Sequence, residues 1–203
     1  MANQVRSLVV NAIQVLVPAL AEMNEQAPDR AMQSYLRMSQ VIWIIACPTM
    51  GFLAICLPFI SILWLGRQSH EFIVFSLIVI SGWTVNLASV PAFFMGLATG
   101  YLRWNLRGVF LASSMNLILG TFLGYSLGAI GVVISFAASL ASGSLILLYF
   151  NHRRFGGNLR QLFDVALLRM LILLIGAVAL GNFAFDAWRS RIGVAGCLGV
   201  SAV

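Results

Sequence analysis

Residues 108–152 read GVFLASSMNLILGTFLGYSLGAIGVVISFAASLASGSLILLYFNH, 45 positions without one acidic or basic charge. A helix needs roughly 20 apolar residues to cross the hydrocarbon of a bilayer. The run is therefore long enough for two spans. The turn between them is expected near Gly124-Tyr125-Ser126-Leu127-Gly128, where glycine allows backbone angles that a helix does not use. Two shorter charge-free gaps, 38–66 and 72–102, hold one span each. Spans are expected at about 41–65, 73–97, 107–124 and 127–150, with a further one at about 165–186 and a truncated apolar segment from about 192. Pro48, Pro58 and Pro91 fall inside spans, where neighbouring groups can satisfy the freed carbonyls.

Composition agrees with this pattern. Of the 203 residues, 61% are hydrophobic and 9% charged, against roughly 25% charged in an average soluble domain. Mean hydropathy is +0.96. These values exclude an ordinary soluble domain, a disordered chain and a coiled coil. They point to an all-α, polytopic membrane protein with about six transmembrane helices. The net charge is +6 and all twelve basic residues are arginine. They stand singly or in pairs between apolar stretches, as positive-inside anchors do, and make a poor footprint for nucleic acid. Cys47, Cys56 and Cys197 lie in apolar sequence without a CxxC and read as packed hydrophobes.

The opening segment, 3–22, is read as one more span. Asn3, Ser7, Asn11, Gln14 and Pro18 recur at spacings of 4, 4, 3 and 4 and so share a stripe. Val5, Val9, Val10, Ile13, Leu16, Val17 and Leu20 lie opposite. The polar face is expected to turn toward protein or water. Two rivals are a cleaved signal peptide ending near Pro18-Ala19-Leu20-Ala21 and a helix lying in the interface.

Orientation follows from the arginines. The loops after the odd-numbered spans hold Arg30, Arg37, Arg103, Arg107, Arg153, Arg154 and Arg160, against Arg67, Arg189 and Arg191 after the even-numbered ones. The excess places the first set in the cytoplasm. The chain then starts outside, and sequence is expected to precede Met1. The tail 192–203 is too short to span and is expected to be cut as well.

No catalytic constellation is visible, and neither a metal nor a cofactor is expected. His70 and His152 are assigned to loops on opposite sides, and no HExxH, Walker loop or dinucleotide fingerprint occurs. Glu22, Glu25, Asp29, Glu71, Asp164 and Asp186 sit at span ends or in loops, so no proton-relay carboxylate is expected at mid-membrane. Arg6 and Arg169 are the two candidates for a cation at membrane depth. Arg169 lies about five residues into its span, within reach of the surface by snorkelling. Arg6, with Asn11 and Gln14, either lines a hydrated cavity that meets an anionic headgroup or bonds to a neighbouring helix. Asn86 and Asn116 are lone mid-span amides, open to the same two readings. Small residues recur every four positions at Gly120, Gly124 and Gly128, and again at Gly131, Ser135, Ser139 and Gly143, as on faces where helices pack closely. Trp43, Trp64, Trp104 and Trp188 lie near span ends as interfacial anchors do, and Trp83 does not.

Taken in order, Leu16-Val17-Pro18-Ala19-Leu20-Ala21-Glu22, Pro91, Gly96 and Gly100 before Arg103, Asn116-Leu117, and Leu127-Gly128-Ala129-Ile130-Gly131 resemble the C-terminal half of polysaccharide and O-antigen flippases of the multidrug/oligosaccharidyl-lipid/polysaccharide exporter superfamily. The resemblance covers about residues 1–150. It implies one lobe of a two-lobe transporter around a central cavity, with 151–203 as additional C-terminal membrane helices. It also implies a polyprenyl-diphosphate-linked oligosaccharide as cargo and the bacterial inner membrane as location. The other lobe would come from missing sequence or a second chain. The candidate substrate path is Arg6, Asn11, Gln14, Asn86, Asn116 and Arg169. The alternatives are a multidrug exporter of the same superfamily, a polytopic membrane enzyme and a non-catalytic membrane subunit.

Overall fold

The computed structural model describes residues 2–154, and these are helical with short breaks. Six helices follow in order: α1 (Ala2–Gln14), α2 (Val17–Gln26), α3 (Pro28–Leu65), α4 (His70–Ala98), α5 (Arg103–Leu127) and α6 (Ala129–Arg154). Four of them, α3 to α6, are long and apolar enough to cross a membrane. The pair α1–α2 would make a fifth crossing if counted as one span, bent by 46° at its break. The expected spans at 165–186 and beyond 192, and with them Arg169, lie outside the described residues.

Two boundaries differ from the sequence reading. The opening segment is not one straight span: the helix breaks after Gln14 and restarts at Val17, with Pro18 in its first turn. Proline has no N–H to give and is well placed there. The stretch 23–40, read as a polar loop, is mostly helix. After the break at Ala27, α3 starts at Pro28 and runs 38 residues. Its first turns are amphipathic, with Ala31, Tyr35, Ser39 and Ile42 buried at spacings of 4, 4 and 3. That is the period of a helix with one packed face.

The helices are ordered around α4. Helix α3 and the α1–α2 pair cover one side of it, α6 runs along the other, and α5 packs along the far side of α6 and scarcely meets α4. Buried on both sides, α4 is apolar nearly all round, and almost every residue from Leu87 to Gly96 is inaccessible. Ile42, Met50, Leu57, Ile80, Leu87 and Phe94 belong to its main cluster with α3. Phe52, Leu63, Phe110 and Phe122 point outward, as a lipid-facing surface requires. Outward hydroxyls are satisfied within their own helices: Thr49 donates to the Ile45 carbonyl at 2.7 Å and Thr121 to that of Leu117 at 2.8 Å. Such back-bonding satisfies these two hydroxyls where water is absent.

Lipid gives little hydrophobic drive to pair one helix with another, so close packing and hydrogen bonds must do it. Both small-residue series lie on the α5–α6 contact. Gly131, Ser135, Ser139 and Gly143 are all buried on α6. A Cβ on Gly143 would stand 2.5 Å from the Gly108 carbonyl oxygen and 2.7 Å from the Ala112 Cβ, and one on Gly131 would strike the Leu123 carbonyl. The turn falls on Gly128 alone, at φ +67°, while Gly124 stays helical. At the other end of this hairpin Asn105 and Asn151 are buried. Asn151 Nδ2 donates to Asn105 Oδ1 at 2.9 Å and to the Ala92 carbonyl at 3.1 Å, and Asn105 Nδ2 donates to the Phe93 carbonyl at 2.8 Å. Asn105→Ala is expected to destabilise the protein by roughly 1–3 kcal/mol, because it strips a buried amide of its acceptor. Thermal unfolding in detergent checks this, and an unchanged midpoint would show that the amide pair contributes nothing.

Candidate functional site

Arg6 is followed by Val9, Val10 and Ile13, three, four and seven positions on. It therefore lies on the apolar face of α1, the face that packs against the bundle. Packing carries the guanidinium inward to α4. There Arg6 Nε donates to Asn86 Oδ1 at 2.8 Å, and its Cζ stands 5.2 Å from the centroid of the Trp83 ring. Trp83 is held edge-on to Phe136 of α6. Asn86 Nδ2 donates in turn to Ser144 Oγ of α6 at 2.8 Å. One amide thus links three helices, and both of its ends are committed.

These groups wall a cavity of about 330 Å³ between α1, α4, α5 and α6. It exists because α5 leans on α6 and leaves a gap toward α4. Arg6, Asn86, Ser89, Ser113 and Ser144 are its polar lining, with Trp83, Val90, Phe93 and Phe94 among the apolar wall. No carboxylate lines it among the described residues. An arginine at the bilayer centre costs about 2.5–3.5 kcal/mol on insertion scales. The Asn86 acceptor and the Trp83 face offset part of that, the ring by roughly 0.5–2 kcal/mol. Among the described residues no side chain accepts from the Nη groups of Arg6. Both Nη nitrogens, with four N–H donors between them, remain for an anion, the planar geometry that suits a phosphate. Ser144 accepts from Asn86 and keeps its own hydroxyl proton to give.

The candidates separate clearly. Arg6 and Asn86 meet and line the cavity. Asn11 and Gln14 do not join them: both are exposed, neither lines the cavity, and Asn11, five residues from Arg6, is turned about 140° from it around α1. The polar stripe thus faces away from the bundle, and the single cation beside it faces in. Asn116 accepts from Ser135 Oγ at 3.2 Å and joins α5 to α6 apart from the cavity. Arg169 lies outside the described residues.

A second polar cluster went unnoticed in the sequence. His152, assigned there to a loop, is fully buried in the last turn of α6, with Nδ1 3.2 Å from the Tyr35 hydroxyl of α3. The two residues are 117 positions apart, and no local pattern joins them. His70 opens α4 at the opposite end of the bundle and is exposed. The described residues hold no group of three or more His, Cys, Asp or Glu side chains able to bind a metal. No family model, no curated protein and no solved structure matches this chain.

Proposed function

We propose that the chain is one lobe of a transporter that moves a polyprenyl-diphosphate-linked oligosaccharide from the cytoplasmic to the outer leaflet of a bacterial inner membrane. The observation that carries this reading is Arg6, a cation held inside a cavity of the helix bundle with its Nη donors uncommitted. A diphosphate is the group in such a cargo that must leave water to cross. The lining offers it a guanidinium fork and serine hydroxyls, which replace hydration as it moves. The apolar wall formed by Phe93 and Phe94 suits the isoprenoid beside it. A cationic drug would ask for a carboxylate, and the lining offers a cation instead. No bond is made or broken in this reading, so the protein acts as a carrier. The second lobe comes from another part of the reading frame or from a second chain.

Complementation tests the proposal. The reading frame that contains this chain, expressed in a strain lacking its own O-antigen flippase but making the matching lipid-linked glycan, is expected to restore surface polysaccharide. Normal expression in the membrane with no glycan at the surface would overturn the proposal.

A further inference from the structure

The geometry points to a bound anionic phospholipid on the outer side of the α5–α6 hairpin, its phosphate at Arg103, Arg107 and Arg154 and its acyl chains along the exposed face of α5. The two helix ends meet here through stacked rings. Trp104 lies flat on Phe150, with centroids 3.7 Å apart and planes 3° from parallel. Arg107 sits 4.7 Å over the Trp104 ring and Arg154 3.4 Å over the Tyr101 ring. Arg153 Nη1 donates to the Tyr149 hydroxyl at 3.1 Å. All four guanidinium groups are exposed, yet three are held by aromatic partners. Less freedom is then lost when an anion binds. The chain from 101 to 154 has four arginines and no acidic residue.

Beneath the arginines the surface is apolar. Arg103, Leu106, Arg107, Phe110 and Leu117 recur at helical spacing and form one stripe on α5. Leu106, Phe110 and Leu117 are 68%, 75% and 72% exposed. The stripe is cationic at its end and apolar for several turns, as a diacyl phosphodiester is anionic at its head and apolar behind. A free phosphate would use the first half only. Nucleic acid would leave the apolar half bare. Leu106, Phe110 and Leu117 are not part of the cavity wall, so this lipid is not the cargo and the inference stands apart from the transport reading.

Titration of the detergent-purified protein with a fluorescent phosphatidylglycerol, read by anisotropy, tests it. Phosphatidylcholine is expected to bind at least about tenfold more weakly, and inorganic phosphate at equal concentration to leave the lipid in place. Each arginine near the headgroup is worth about 1 kcal/mol, or fivefold in affinity, so Arg107→Gln/Arg154→Gln should weaken binding about 25-fold. Arg67→Gln, at the other end of the bundle, should not. Equal binding of phosphatidylcholine, displacement by phosphate, an unaffected double variant or an equal loss in Arg67→Gln would each overturn the proposal. Should the double variant fail to fold, Arg103→Gln replaces it with an expected fivefold loss, and unchanged affinity there overturns the proposal equally.

Discussion

Arg6→Gln is expected to abolish surface glycan in the complementation assay while the amount of protein in the membrane stays the same or rises. The substitution keeps a polar side chain against Asn86 but removes the charge and the planar fork. Insertion does not suffer, because a cation at membrane depth opposes it by up to about 2.5–3.5 kcal/mol and glutamine opposes it less. If the cargo is held through its diphosphate, losing a charge-assisted bidentate contact costs about 1.5–3 kcal/mol of binding, one to two decades in affinity. Arg6→Lys should fall between. It keeps the charge and loses both the Nε bond to Asn86 and the fork, so roughly tenfold lower display is expected. Wild-type display from Arg6→Gln would reduce Arg6 to a helix–helix bond, the other reading open from the sequence. Asn86→Leu in the same assay separates the two roles. It leaves the charge but frees the guanidinium to turn, and reduced display at normal protein level is expected.

Gly143→Leu is expected to give the largest loss of stability. Even a Cβ there would lie 2.5 Å from the Gly108 carbonyl oxygen. That neighbour is backbone and cannot rotate aside. The helices must part along a face on which Gly108, Gly131 and Gly143 all rely on contact. Ordinary overpacking costs about 1–3 kcal/mol, and a contact between backbones has fewer ways to relax. Gly128→Ala provides the contrast. A Cβ at that position meets nothing within 4 Å, so only the backbone opposes it: φ +67° with ψ −144° is a conformation nearly reserved for glycine, at a cost to other residues of roughly 1–3 kcal/mol. Unfolding in detergent should rank Gly143→Leu well below Gly128→Ala, with the wild type above both. An equal effect of the two would mean that the α5–α6 contact is not close-packed.

Much of the helical architecture could be read from where charge is absent. Uncharged runs of the length a bilayer requires fold as long apolar helices, and the 45 uncharged residues at 108–152, read as two helices and a turn, lie in the α5–α6 hairpin. The small-residue series named the contact face of α6 before any partner was known, because helices in lipid can approach only where side chains are small. The amphipathic start of α3 was harder to read. Its Asp29, Arg30, Gln33 and Arg37 resemble a loop by composition, although Ala31, Tyr35, Ser39 and Ile42 already kept a helical period. Within the site, Arg6 and Asn86 could be nominated singly as polar groups in apolar surroundings. That they meet, and that Asn11 and Gln14 stay outside the cavity, depended on which face of α1 packs. The positions of Val9, Val10 and Ile13 contain that information, but the more conspicuous polar stripe drew the reading to the opposite face. Ser144 and the Tyr35–His152 contact had no local signature. Both are tertiary pairings between distant spans.

The lopsided attachment of α5 has a mechanical corollary. A one-residue turn and a seam of glycines bind it to α6, and toward α4 it is tied at one end, by the hydrogen bond from Asn105 to the Phe93 carbonyl. The width of the cleft beside Arg6 is therefore set by α6, which packs on α4 and α5 alike and acts as the spacer between them.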